Sequence, residues 1–114
     1  MPKIIKPSEV WFAFFPFEED TSKGKPRPVV VLHVFSGEAL VLSTKVTSHA
    51  PRVNDPFDIP IRQYGFAGLH HPSVARVSQT LELPMSYFDF RIGTLHPNDY
   101  KAIVDAFIRL GSRG

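Results

Sequence analysis

The sequence predicts a small, mainly β protein of the α+β class, an antiparallel barrel followed by one C-terminal α-helix. The first observation is a series of short runs rich in β-branched and aromatic residues, separated by turns rich in glycine, proline, asparagine and aspartate. The second is a helical spacing of apolar residues near the C-terminus. Many short strands and one terminal helix suggest a small barrel with the helix packed against it.

Each strand is predicted from its own run of β-forming residues. In chain order the strands are expected at residues 9–15, 29–35, 39–43 with a continuation toward 48, 57–61 and 74–83. Pro16 ends the first strand, because proline cannot donate to a strand ladder. Ser36-Gly37-Glu38 predicts a hairpin turn between the second strand and the third.

The last segment carries the signals of a helix. Pro97 suits the first helical position, and Asp99 lies in the first turn, near the positive end of the helix dipole. Gly111 is expected to follow the last helical residue. An apolar stripe that would pack on the sheet is formed by Tyr100, Ile103, Val104, Phe107 and Leu110.

Composition excludes several classes of protein. At 114 residues the chain is expected to be one domain, residues 1–114, and 43% apolar residues with ten phenylalanines fit a packed core. There is no cysteine, so disulfides and thiolate metal sites are excluded. No stretch has the apolar length of a transmembrane helix or of a signal peptide, and we expect a cytoplasmic protein without membrane association.

Charge is distributed unevenly along the chain. The formal net charge is only +2, but the segment from residue 45 to 76 is basic and poor in acidic residues. This segment has four cationic residues, Lys45, Arg52, Arg62 and Arg76, but only two aspartates, and it also contains three histidines. A basic middle segment points weakly to a polyanionic partner.

Arg27 is the most informative residue of the sequence. It lies between Pro26 and Pro28, directly ahead of the apolar run 29–32, which is typical of a buried strand. Prolines stiffen the chain there, and a guanidinium carries a fixed fork of donors that suits carboxylate or phosphate. This placement indicates an anion site, although an arginine at a strand end can also simply extend to solvent.

Common catalytic and metal-binding motifs are absent from the sequence. There is no glycine-rich phosphate loop, HExxH, GxSxG or EF-hand pattern. His70-His71 is an adjacent pair without partners at ligand spacing, so we predict no metal and no other cofactor.

Nearly the whole chain resembles the MazF/PemK/Kid toxins of type II toxin–antitoxin modules. Segments in the same order as in that family are Glu9 to Phe14, Lys25-Pro26-Arg27-Pro28-Val29-Val30-Val31-Leu32, Val46-Thr47-Ser48, Gly68-Leu69 with Ser73 to Thr80, and Arg91 to Leu95 before the helix. The resemblance implies an SH3-like barrel that forms a homodimer. It also implies a sequence-selective endoribonuclease that cuts single-stranded RNA without metal and is held off by a cognate antitoxin.

Site residues follow from the same resemblance. The family's active-site arginine and threonine fall on Arg27 and Thr47, and a second arginine falls on Arg76. Ser78 stands where Kid-type members carry an aspartate, and serine cannot act as a base unaided. With Ser78, the residues expected to bind substrate are Ser48, His49, Gln79 and Phe17.

The general base is the open question of this site. Arginine does not lose its proton near neutral pH, so Arg27 and Arg76 suit charge stabilisation rather than proton removal. His49 follows the threonine–serine pair and has a suitable unperturbed pKa, which makes it a hypothetical base, although it could be an ordinary loop histidine.

Aromatic residues could stack on RNA bases. Phe17 and Phe66, in or beside loops, are the better candidates, Tyr64 is another, and Trp11 is expected in the core or a dimer contact. Two other functions remain open for this sequence. One is a gyrase-directed toxin of the CcdB type, and the other is a member of the family that binds RNA or antitoxin without cutting.

Overall fold

Six strands form one antiparallel sheet in the computed structural model, which describes residues 3–112. The elements in chain order are β1 (Glu9–Pro16), β2 (Gly24–Phe35), β3 (Leu40–Thr47), β4 (Asp58–Ile61), β5 (Ser73–Pro84), β6 (Phe88–Thr94) and the helix α1 (Pro97–Ser112). Across the sheet the order is β4-β5-β3-β2-β1-β6. Register shifts interrupt several strand pairs and bend the sheet into a small barrel-like form that does not close. The predicted mainly β fold with a C-terminal helix is therefore confirmed.

Each of the five predicted strands is present, with bounds that differ by a few residues. The connection between β2 and β3 is a single 3-10 turn, Ser36–Glu38, in which Ala39 takes the positive φ of 55°. Strand β6 was not predicted as a strand, although its sequence was noted before the helix. Gly111 was expected to follow the helix, and this was wrong, because α1 continues to Ser112.

Strand β2 begins well before the apolar run, so both prolines around Arg27 lie inside a strand. Its ladder with β1 extends from Gly24 to Val30, whereas its ladder with β3 begins only at Val29. Pro26 and Pro28 therefore lie where β2 has a ladder on one side only, which is where a strand tolerates a residue without an N–H. Arg27 is held in extended backbone at the point where β3 turns away.

The core lies on both faces of the sheet, as the alternation of side chains along each strand requires. One face packs against α1, which lies over β5 and β4 and buries Ile103 and Ala106 among the valines of β1, β2 and β3. The opposite face is built around Trp11, Phe15 and Phe88. Among residues 3–112 no helix is both long and apolar enough to cross a bilayer.

Candidate active site

An open groove of about 640 Å³ lies at the end of β2 where Arg27 is held. Its wall includes Arg27, and the end of β3 contributes Thr47, Ser48 and His49. The opposite side comes from the loop before β5, from strand β6 and from Phe12 of β1. Four of the residues predicted for substrate binding or catalysis therefore line one groove.

Arg27 and Thr47 lie two residues beyond the last pair of the β2–β3 ladder. That ladder ends at Val29 and Lys45, and Arg27 and Thr47 both line the first groove, where the two strands separate. Thr47 is buried, and its Oγ1 accepts a hydrogen bond from the backbone N–H of His49 at 3.2 Å. That bond keeps the loop carrying His49 folded back over the threonine.

A second cavity, of about 330 Å³, lies on the other side of Arg27. The side chains lining it include Phe17, Lys45, Ser78 and Gln79, and Arg27 lines this cavity as well as the first. The predicted substrate-binding residues are therefore divided between two depressions that share Arg27. A flexible polyanion longer than one nucleotide could occupy both.

A bulge in β5 creates this second cavity. The β3–β5 register jumps from the pair Thr44–Thr80 to the pair Lys45–Arg76, which leaves residues 77–79 of β5 without β3 partners. Ser78 and Gln79 belong to this extra segment and line the cavity. Bulges re-aim side chains in this way next to many active sites.

Arg76 lies next to Lys45 on one side and Asp58 on the other, since it pairs with both across neighbouring ladders. Its side chain is only 15% exposed, and its Nε lies 3.9 Å from Asp58 Oδ2. This distance is too long for a hydrogen bond, and the buried Nε has no hydrogen-bond partner within the described chain. Arg76 is not among the residues that line either cavity, and its nearest charged partner is Asp58.

Asp58 is the charged anchor beneath these cations. Its carboxylate is fully buried and accepts hydrogen bonds from the backbone N, Nε and Nη2 of Arg52 at 2.8, 3.0 and 2.9 Å. Burial alone raises the pKa of Asp58, but the hydrogen bonds and charge of Arg52, with the charge of Arg76, lower it below the usual value. The same hydrogen bond raises the pKa of Arg52.

Ser78 stands where Kid-type toxins carry an aspartate, and the carboxylate of Asp55 lies close to its hydroxyl. Its Oγ accepts a hydrogen bond from Arg52 Nη2 at 3.3 Å and donates one to Asp55 Oδ2 at 3.4 Å. Asp55 is itself bound to Arg52 at 2.6 Å.

Positive charge accumulates around Arg27. Burial, and then the charge of Arg76, lowers the pKa of Arg27. Burial also lowers the pKa of Lys45, and the charges of Arg27 and Arg76 add to that effect. Sequence reasoning did not assign Lys45, Arg52 or Asp58 to the site, and their only signal was membership in the basic middle segment.

Aromatic side chains lie beside the first groove. Phe12 and Phe90 stack with ring centroids 5.3 Å apart, and Phe90 is 52% exposed. Trp11 is buried and its Nε1 donates to Glu9, so its place in the core is confirmed. The ring of Phe66 is exposed to solvent and makes an edge-on contact with the ring of His96.

Tyr64 packs partly against the core on the helix side of the sheet. The groove wall also contains His70 and His71, and the loop that leads to them packs closely against β6. Gly68 has a φ of +86°, and a Cβ at Gly93 would collide with the carbonyl oxygen of Ala67. Within residues 3–112 no three His, Cys, Asp or Glu side chains form a group suited to a metal ion.

Taken together, the fold and the two cavities describe a small barrel-like β protein with cationic side chains gathered around Arg27. The model of one protein family, the PemK-like, MazF-like toxins of type II toxin–antitoxin systems, matches residues 6–110. The chain therefore belongs to this family, as the sequence resemblance predicted. No curated protein matches the chain significantly.

Solved structures with the same fold include several MazF toxins. The Mycobacterium tuberculosis toxin MazF-mt6 superposes with a TM-score of 0.70 at 20% identity, over 91% of this chain and 96% of its own. MazF from Deinococcus radiodurans gives 0.77 at 17% identity over 97% and 99%. A MazE–MazF structure from the same organism gives 0.74 at 17% identity over 99% and 100%.

Proposed function

We propose that this family member is an endoribonuclease toxin that cuts single-stranded RNA selectively, by attack of a ribose 2′-hydroxyl and without a metal ion. The observation that carries the proposal is that Arg27 and Thr47 line one groove, with Arg27 at the junction of two cavities. Arg76, with its unpartnered Nε, lies one strand further along the sheet. Arginine forks of this kind bind phosphate in a defined orientation.

In this reaction the 2′-oxygen attacks phosphorus and the bond to the 5′-oxygen breaks. Arg27 and Arg76 neutralise the extra charge on the pentacoordinate phosphorus, and their partial burial strengthens that interaction. The Thr47 hydroxyl, fixed by its bond to His49 N, orients a phosphate oxygen or the attacking hydroxyl. His49 lines the groove, is exposed, and is our proposed base for the 2′-hydroxyl.

RNA bases have places to lie on both sides of the reacting phosphate. Phe90 offers an exposed ring beside the first groove, and Phe17, Ser78 and Gln79 line the second cavity. Aromatic stacking typically contributes about 1–3 kcal/mol per base. We propose that hydroxyl and amide groups in the second cavity supply the base preference.

We propose that the protein is a cytoplasmic homodimer whose activity is blocked by a cognate antitoxin. The Deinococcus radiodurans toxin has been solved together with MazE, and that assembly motivates the partner. An antitoxin segment with acidic and apolar side chains would suit a groove that combines Arg27 with the exposed Phe90 ring. The neighbouring reading frame is where such a partner should be sought.

The test is an assay of purified protein on a long single-stranded RNA with EDTA present. We expect discrete cuts that leave 5′-hydroxyl ends, and a loss of about 10²–10³-fold in Arg27→Ala, because one charge-stabilising group is removed. Arg109→Ala, on the exposed side of α1, is the matched control and should cut normally.

Other outcomes identify the alternatives. Intact RNA together with trapped gyrase would indicate a gyrase-directed toxin. Intact RNA that is nevertheless bound would indicate a non-cleaving member, a function that Ser78 in place of an aspartate favours.

A further inference from the structure

Lys45 occupies the centre of the cationic site. It pairs laterally with Val29 of β2 and with Arg76 of β5. Side chains two residues apart on a strand point to the same side, so Lys45 and Thr47 project together. Lys45 lines the second cavity next to Arg27.

The Lys45 ammonium has no hydrogen-bond or salt-bridge partner within residues 3–112. The charged groups around it come from five other parts of the chain. They are Arg27 on β2, Arg76 on β5, Asp58 of β4 behind Arg76, Arg52 before β4, and Glu18 after β1. Of the two carboxylates, Asp58 is occupied by Arg52. Cations therefore outnumber the free anions around Lys45, and this is a setting that favours release of its proton.

Lys45 and His49 lie on opposite sides of the proposed phosphate position. Arg27 lines both cavities, His49 lines only the first of them, and Lys45 lines only the second. Attack by the 2′-oxygen proceeds in line with departure of the 5′-oxygen. The group that removes a proton and the group that supplies one must then face each other across phosphorus.

We infer that Lys45 is the general acid of the reaction, donating its ammonium proton to the departing 5′-oxygen. The inference rests on the proposed ribonuclease function and adds a residue to it. One bond forms between O2′ and phosphorus, and the bond between phosphorus and O5′ breaks. The 2′-hydroxyl proton passes to His49 and the Lys45 proton passes to O5′, which gives a 2′,3′-cyclic phosphate and a 5′-hydroxyl. Proton exchange with water restores both side chains.

Chemistry distinguishes this role from that of the arginines. A guanidinium stays protonated at any working pH, so Arg27 and Arg76 can stabilise charge but are poor proton donors. A lysine whose pKa is lowered by burial and by neighbouring cations gives up its proton more readily. Lys45 therefore supplies what the arginines lack.

The experiment uses a leaving group that needs no proton. After the cut site is mapped on the long RNA, two short oligonucleotides of that site are compared, one natural and one with sulfur in place of the bridging 5′-oxygen. The variants are Lys45→Met and Lys45→Arg, and the second keeps the positive charge if the first misfolds. Lys101→Met, at an exposed position on α1, is the matched control.

On the natural oligonucleotide both Lys45 variants should be slower by about 10²–10⁴-fold, the usual effect of losing a general acid. On the sulfur oligonucleotide both should approach the wild-type rate, while Arg27→Ala remains slow on both. Failure of sulfur to rescue the Lys45 variants, or a normal rate for either variant on natural RNA, overturns the role of Lys45. If the wild-type protein cuts neither substrate, the ribonuclease function itself fails, and the inference fails with it.

Discussion

Replacing Asp58 by asparagine removes the one fully buried negative charge beneath the cationic site. The carboxylate accepts three hydrogen bonds from Arg52, from the backbone N, Nε and Nη2, all at 3.0 Å or less. Asparagine has nearly the same volume, but it loses the charge and one acceptor oxygen. It also leaves Arg76 without its nearest counterion.

The magnitude follows from the burial of the two partners. Breaking a buried ion pair costs about 3–5 kcal/mol, but the Arg52 side chain is 40% exposed, and solvent screening brings our expectation to about 2–3 kcal/mol. An unfolding entropy of about 2.1 cal/mol/K per residue gives roughly 0.24 kcal/mol/K for this chain. The melting temperature of Asp58→Asn should therefore fall by about 8–12 °C.

Thermal unfolding followed by circular dichroism measures this shift. The matched control is Asp55→Asn, because Asp55 also binds Arg52 but is 22% exposed. Its replacement keeps an acceptor for the N–H of Phe57, and the expected cost is below about 1 kcal/mol. If Asp58→Asn melts no lower than Asp55→Asn, the claim that Asp58 anchors the site is wrong.

Three further predictions concern stability. Because folding lowers the pKa of Asp58, its contribution to stability is present above the unfolded pKa of about 3.9 and is lost as the pH falls through the lower folded value. Between pH 6 and pH 2 the melting temperature of Asp58→Asn should therefore fall less steeply than that of the wild type. Parallel curves would contradict this prediction. Lys45→Met removes the repulsion between Lys45 and the cations Arg27 and Arg76. It should stabilise the folded protein by about 1 kcal/mol at low salt, and by less in 1 M NaCl. A lower melting temperature than that of the wild type would argue against a repulsive cluster. Gly93→Ala places a Cβ against the carbonyl oxygen of Ala67 and should lower the free energy of unfolding in urea by about 1–3 kcal/mol. An unchanged free energy of unfolding would show that the loop before β5 shifts to make room for the methyl group.

Local patterns were sufficient to predict most of the secondary structure. β-branched and aromatic runs predict strands because their side chains pack well on a pleated surface, and the apolar stripe of α1 predicts a helix for the analogous reason. Strand β6 was missed although Phe88, Phe90 and Ile92 alternate with Asp89, Arg91 and Gly93, which is the period-2 pattern of a strand. Its place next to β1 depends on long-range pairing with residues 9–13.

The site could be predicted only in part. The resemblance pointed to Arg27 and Thr47, but the groove that they share lies where β3 separates from β2, which a single sequence does not specify. The β5 bulge is a second such feature, since it brings Arg76 opposite Lys45. Lys45 and Asp58 look like ordinary charged residues in the sequence, and their importance comes from burial and neighbours in the folded chain.

The chemical identity of the RNA ends tests the central claim most directly. Purified protein should be incubated with single-stranded RNA in EDTA, and the products identified by mass spectrometry. We predict 2′,3′-cyclic phosphate on one fragment and 5′-hydroxyl on the other, with both products formed about 10²–10³-fold more slowly by Arg27→Ala. Fragments carrying 5′-phosphate, cleavage that EDTA abolishes, or RNA that stays intact would contradict the account.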